Sequence, residues 1–178
     1  IPITATVLGN YPLRVLMLGL HVVPLDGSPA LTTPVSFSYN PALGTPWTTA
    51  QKGNGDYSAV WLNSGIAGLS GTFTVGTLTV TLPANATSAS AYAVHFDHVS
   101  ASPNGLGSFP KSARTGLITL ADRSGSSYGD GIPDSWRLRY FLSLNNVLSA
   151  ASADADGDGL NNLQEYAAGT DPMDAASL

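Results

Sequence analysis

Thr77-Leu78-Thr79-Val80-Thr81-Leu82 alternates a polar β-branched residue with an aliphatic one over six positions. Successive side chains of a strand point to opposite faces, so Leu78, Val80 and Leu82 line one face and the threonines the other. Such a segment predicts a half-buried strand. The neighbouring segments read the same way. Phe73–Val75 and Tyr57–Leu62 are short apolar stretches of strand character. Val35, Phe37 and Tyr39 alternate with Ser36 and Ser38 until Asn40-Pro41 ends the run. Tyr92–Val99 and Leu117–Leu120 follow on the other side. Between these lies turn chemistry: Gly44 to Asp56 holds Trp47 and the hairpin-like Gly53-Asn54-Gly55-Asp56. Further upstream, Leu13–Val23 is the most apolar run and predicts a buried strand. It is about half the length needed to cross a bilayer and contains Arg14 and His21. In residues 1–8, Ile1, Ile3, Ala5 and Val7 share one face, Pro2 suits a strand start, and Gly9-Asn10 breaks the segment. Eight or so short strands without a helical period predict a mainly β fold, an antiparallel β-sandwich or flattened barrel, over residues 1–120.

After residue 120 the period changes. Residues 121–129 read as a linker and residues 130–178 as a small two-helix module. Pro133 can start the first helix, striped by Trp136, Tyr140, Phe141 and Leu144; Leu160, Leu163 and Ala167 stripe the second, which Gly169 and Pro172 end. Between the helices lies Asp154-Ala155-Asp156-Gly157-Asp158-Gly159-Leu160-Asn161-Asn162-Leu163-Gln164-Glu165. Counted from Asp154, acids fall at positions 1, 3 and 5, glycine at 6 and glutamate at 12, the pattern of a twelve-residue Ca²⁺ loop. A hard divalent cation takes six to eight oxygens. Asp154, Asp156 and Asp158 supply them from one curled segment, Leu160 through its carbonyl, Asn162 directly or through a water, and Glu165 with two at once. Glu165 is the only glutamate in the chain.

Charged residues make up 11% of the 178, well under the roughly 25% of ordinary soluble domains. The polar surface therefore rests on Ser, Thr, Asn and Gly, a composition expected of secreted and cell-surface β proteins. Residues 122–178 hold eight Asp and the one Glu against three Arg, a net −6, while residues 1–121 are +1, so the acidity behind the overall −5 lies in the C-terminal part. Nothing supplies a basic stripe, and no nucleic-acid partner is expected. Without cysteine no disulfide framework is possible, which leaves a bound cation as the available staple. The chain opens on Ile1 and not on Met, so a removed leader is expected.

Residues 130–174 resemble the thrombospondin type 3 or dockerin-like calcium repeats of bacterial secreted proteins. The resemblance is carried by Gly129-Asp130-Gly131-Ile132-Pro133-Asp134-Ser135-Trp136 and by Asp154–Glu165 with Gly169-Thr170-Asp171-Pro172. Residues 57–120 resemble, more loosely, the second half of cohesin-like sandwich domains, through Gly76-Thr77-Leu78-Thr79-Val80, Val99-Ser100-Ala101-Ser102-Pro103-Asn104-Gly105 and Gly116-Leu117-Ile118-Thr119-Leu120. The first repeat departs from the pattern: Ser126, Tyr128 and Asp130 stand at positions 1, 3 and 5, Ile132 at 7, Asp134 at 9 and Arg137 at 12. Arg137 stands where the closing carboxylate belongs. Either its guanidinium replaces the cation, pairing with Asp130 or Asp134, or one of these acids donates to a metal shared with the second loop. Asp171 and Asp174 either add oxygens or cap turns.

Other candidate sites carry less. His95 and Asp97 share a strand face while His98 points with Val94 and Phe96, which splits a metal trio. The sandwich offers only Asp26, Asp56 and Asp97 as carboxylates for glycoside hydrolysis, and no nucleophilic constellation or phosphate cradle is present, so no enzyme is expected. Trp47 in its loop is a candidate sugar-stacking ring, whereas Trp61 reads as core. Asn85-Ala86-Thr87 matches a glycosylation acceptor. Three function classes follow: a non-catalytic structural or adhesive subunit of a bacterial extracellular assembly, a docking module for another surface protein, and a carbohydrate-binding module. The first is favoured. There Ile1, Ile3, Ala5 and Val7 form a donor strand that pairs either with their own sandwich or with the next copy, building a pilus-like, head-to-tail homopolymer.

Overall fold

The computed structural model describes residues 1–8, 13–62, 71–102, 113–121 and 123–177. The expected break at Gly9-Asn10 and the cue Pro103-Asn104-Gly105 lie outside these. Among the described residues eight strands form: β1 (Pro2–Val7), β2 (Val15–Leu25), β3 (Ser36–Tyr39), β4 (Thr48–Ala50), β5 (Asp56–Leu62), β6 (Gly71–Thr79), β7 (Ala91–Ser102) and β8 (Gly116–Thr119). Two helices follow near the C-terminus, α1 (Asp134–Phe141) and α2 (Asn162–Ala168). The strands make two sheets, β1-β6-β3 and β4-β5-β2-β7-β8. The pairings β1–β6, β3–β6, β2–β5, β4–β5 and β7–β8 are all antiparallel. Neither order closes on itself among the described residues, so the fold is mainly β, two open sheets of sandwich type with a small helical module and no barrel. No described helix is long and apolar enough to cross a membrane.

The chain divides into two compact units. One comprises Ile1–Val22, Ala30–Ala84 and His95–Arg114; the other comprises Val23–Pro29, Asn85–Val94 and Thr115–Leu178. The first holds the larger core. β2 buries Leu16, Leu18, Leu20 and Val22, opposite β5, which buries Ala59 and Trp61. Trp61 is inaccessible to solvent and its indole N–H donates to Gly44 O at 3.1 Å, as a buried indole requires. Register sets one polar pair: His21 lies directly opposite Asp56, and His21 Nδ1 bonds Asp56 Oδ1.

The segments Phe73–Val75 and Thr77–Leu82, expected as two strands, are one strand, β6, that stops at Thr79. It stops there because its partners run out: Ser36 pairs with Thr79 on one side, and Ile1 O takes the Leu78 N–H at 2.8 Å on the other. Opposite Ile3 and Thr4 the register slips by one residue, so that Val75 and Gly76 are both buried instead of alternating. The Phe37 ring lies on Gly76 and stacks on Tyr57 of the other sheet, with ring centroids 4.9 Å apart. A Cβ on Gly76 would stand 2.5 Å from that ring and 2.6 Å from Ser38 O. Gly76→Ala is therefore expected to cost about 1–3 kcal/mol, read as a lower urea midpoint at unchanged slope. β4 was expected to be turn. Its two threonines join the edge of β5 instead, and Trp47 N–H reaches Val60 O at 2.8 Å.

β1 pairs with β6 of its own chain, so in this structure the N-terminal strand is the first strand of its own sandwich. It is an edge strand, and its Ile1 amine donates to Leu78 O at 2.8 Å.

The second unit packs Leu25, Ala91, Ala93 and Leu138 together, flanked by Val23, Leu117 and Leu144. Its helices differ from the sequence pattern. α1 ends at Phe141, a turn before Leu144, because Leu142 takes a left-handed conformation (φ 57°). α1 buries Asp134 and Arg137 beside Leu138 and Phe141. α2 reverses the expected stripe: Leu163 and Ala167 are exposed, while Asn162 and Glu165 are buried. Residues 123–129 are tied down, with Arg123 donating to Ala89 O and Gly125 O accepting from Asp134 N–H.

Candidate metal centre

The acidic loop is bent by its own carboxylates. Asp154 accepts Gly157 N–H on Oδ1 at 2.7 Å and Gly159 N–H on Oδ2 at 3.0 Å. Asp156 Oδ1 accepts Asp158 N–H, and Asp158 Oδ1 accepts Leu160 N–H at 2.7 Å. Gly157 and Gly159 sit at φ 82° and 98°, where a side chain is strained. One oxygen from each of the three aspartates falls within 4.8 Å of the others. Ligands on a sphere of about 2.3–2.6 Å radius can stand no further apart than its diameter, so the three can share one ion.

α2 carries the two remaining side-chain positions of the loop; among the described residues the group with oxygens within 4.8 Å of one another is the three aspartates and does not include Glu165. Asn161 caps it in a box with Gln164: each side chain accepts the other's backbone N–H, at 3.0 and 2.9 Å. Asn162 and Glu165, three residues apart, then share the buried face. Both are wholly inaccessible to solvent. Asn162 spends its amide N–H groups on Leu148 O and Ala150 O, each at 2.7 Å.

Among the described residues, six buried side-chain polar atoms have no hydrogen-bond partner. Five of them are Asp156 Oδ2, Asp158 Oδ2, Asn162 Oδ1 and both oxygens of Glu165. They belong to positions 3, 5, 9 and 12 of the loop. A buried acceptor with no donor costs on the order of 1–3 kcal/mol, and an unpaired buried carboxylate more. The strain shows at Glu165: burial first, then the charges of Asp156, Asp158, Asp154 and Asp171, push its carboxyl up to about 7. The donor set is all oxygen and strongly anionic, the chemistry of a hard divalent cation such as Ca²⁺. Asp171 and Asp174 act as turn caps, their Oδ1 atoms accepting Met173 and Ala176 N–H at 3.1 Å.

The first loop is built around Arg137, only 1% exposed. Its Nη2 bonds Asp130 Oδ2, its Nη1 donates to Ile132 O at 2.6 Å and its Nε to Ser149 O at 3.2 Å. The Tyr128 ring covers the guanidinium 5.0 Å from the ring centroid. The side chain at position 12 thus meets the groups at positions 3, 5 and 7, and the loop closes on its own cation. Of the two partners considered for Arg137, it takes Asp130. Asp134 instead accepts Ser127 N–H and O–H and lies 3.9 Å from Arg123. Ser149 went unseen in the sequence; no spacing rule reaches a backbone carbonyl twelve residues away.

Elsewhere, His95, Asp97 and His98 are all exposed and form no metal group among the described residues. Asp26 binds Ser143 O–H and Leu144 N–H, at 2.7 and 3.1 Å. Trp47 is 73% exposed, and Asn85 lies exposed in a turn. Comparison with family models, with curated proteins and with solved structures returned no match.

Proposed function

We propose that this chain is a non-catalytic structural module of a secreted or cell-surface bacterial protein. In it one Ca²⁺, held by Asp154, Asp156, Asp158, the Leu160 carbonyl, Asn162 and Glu165, fixes the C-terminal unit. The five buried oxygens without donors carry this reading, because acceptors left without a hydrogen-bond donor are what an ion in the loop would satisfy. Three aspartates and a glutamate carry four negative charges when ionised, of which a divalent ion offsets two and a monovalent ion one. The affinity expected of an extracellular site of this kind is roughly 10⁻⁴–10⁻³ M. Titration calorimetry with CaCl₂ on chelator-treated protein tests it: one site per chain is expected, with a rise in melting temperature. Absence of both heat and stabilisation overturns the proposal.

A second reading, head-to-tail assembly through β1, is favoured by the shallow seat of that strand. Only Ile3 is buried; Ala5 and Val7 are half-buried and Ile1 is 45% exposed. Most of the hold on β1 is backbone pairing, which a neighbouring copy can supply equally well. On this reading protein lacking residues 1–8 stays folded and monomeric, while the intact chain forms fibres that a peptide of residues 1–8 inhibits. Sedimentation and negative-stain microscopy decide: an intact chain that remains monomeric at high concentration with calcium rules assembly out.

A further inference from the structure

Three consecutive backbone carbonyls between the two loops are claimed from opposite sides. Asn162, at position 9 of the acidic loop, takes Leu148 O and Ala150 O through its two amide N–H bonds. Arg137, at position 12 of the first loop, takes Ser149 O between them through Nε. Asn162 N–H and Leu163 N–H pin the same connector further on, at Ala153 O (2.8 Å) and Ala151 O (3.1 Å). The Leu148–Ala150 backbone is therefore a wall common to both loops. Asn162 divides its amide accordingly. Its nitrogen faces the connector, and its oxygen is buried without a donor.

Resting on the calcium reading above, we infer that Asn162 is a positioning residue that couples the calcium loop to the arginine-closed loop. An ion at Asn162 Oδ1 fixes the amide plane, and the fixed amide holds the connector carbonyls against Arg137. This gives a reason for Asn and not Asp at position 9. A carboxylate would ligate as well, yet it has no N–H to give and would set two carbonyl oxygens against a buried charge. Coupling of this kind is reciprocal, so damage at Arg137 weakens calcium binding although the side-chain hydrogen bonds of Arg137 run to Asp130, Ile132 and Ser149 and not to the acidic loop.

Hydrogen exchange of the full chain, with and without CaCl₂, tests this beside calorimetry. In the wild type, calcium is expected to slow exchange about tenfold or more in residues 126–138 as well as in 154–168. Asn162→Asp is compared at saturating CaCl₂, whatever its affinity, and its slowing is confined to 154–168. Arg137→Gln weakens calcium binding by about fivefold or more, the lower end of ordinary coupling. The inference is overturned if wild-type protection stops at the acidic loop, if Asn162→Asp transmits it undiminished, or if Arg137→Gln binds calcium like wild type. Should Asn162→Asp not fold, the wild-type and Arg137→Gln arms decide alone. Calcium that gives neither heat nor protection anywhere overturns the calcium reading itself, and this inference with it.

Discussion

Glu165→Gln is expected to abolish most of the calcium-dependent rise in melting temperature while leaving the calcium-free protein at least as stable as wild type. At a calcium concentration a hundredfold above its dissociation constant, binding contributes about 2.7 kcal/mol. For a chain of this size that is roughly 5–10 °C. Gln keeps the shape of the side chain but offers one oxygen and no charge. A hundredfold loss of affinity would cut the contribution to about 0.4 kcal/mol. Without calcium the balance tips the other way, because the substitution removes a carboxylate buried among Asp154, Asp156, Asp158 and Asp171. Scanning calorimetry of both proteins, with calcium and with chelator, gives all four values. A mutant that is simply less stable in every condition would contradict the argument.

The same residue sets a pH dependence. In the calcium-free fold Glu165 holds its proton up to about 7, against an ordinary 4.5. The unfolded chain releases that proton first, so the contribution of Glu165 to calcium-free stability is full below pH 4.5 and is lost as pH rises through 7. On the calcium reading, an ion held by Glu165 would displace that proton. Its binding near neutral pH is therefore expected to release up to one proton, seen as a buffer-dependent heat, and to strengthen as pH rises.

The legible parts of this molecule were those in which one residue type has one physical use. Alternation placed the strands, because only a half-buried strand wants Thr and Leu in turn; β6 takes in Thr77-Leu78-Thr79, the first half of the alternating segment, and leaves Val80 to Leu82 outside. The slip at Val75 and the merging of two expected strands depend on where Ile1 and Ser36 run out as partners, which no local pattern carries. In the acidic loop the spacing of Asp154, Asp156 and Asp158 was legible, and one oxygen of each comes within 4.8 Å of the others. Its helix was misread because Leu163 and Ala167 look like a core stripe, whereas the buried face is given to Asn162 and Glu165. Periodicity assumes that the inside is apolar, and here polar oxygen is turned inward.

Arg137→Ala is expected to cost about 3 kcal/mol, toward the low end for breaking a buried ion pair because Asp130 is partly exposed. That corresponds to roughly 6–12 °C in melting temperature, and added calcium does not restore it. The truncation leaves Asp130 Oδ2 and the carbonyls of Ile132 and Ser149 without their donor, and it uncovers the face of Tyr128. Arg137→Lys keeps the charge but not the fork, so it reaches only part of this set and recovers less than half of the loss. The ion pair also has a signature in acid. The Arg137 hydrogen bond, against the opposing effect of burial, holds Asp130 below the ordinary carboxylate range. Its stabilisation is complete above that range and is lost as pH falls through the lowered value, so Arg137→Ala should lose less stability on acidification than wild type. Arg137→Glu is the sharpest variant. It restores the closing acid of a calcium loop, yet Ser126 and Tyr128 still stand at positions 1 and 3. Too few oxygens then remain for the six or more that calcium needs. The variant is expected to be destabilised at every calcium concentration. Recovery in calcium, with a second ion per chain in calorimetry, would show that the loop is a metal site closed by arginine alone.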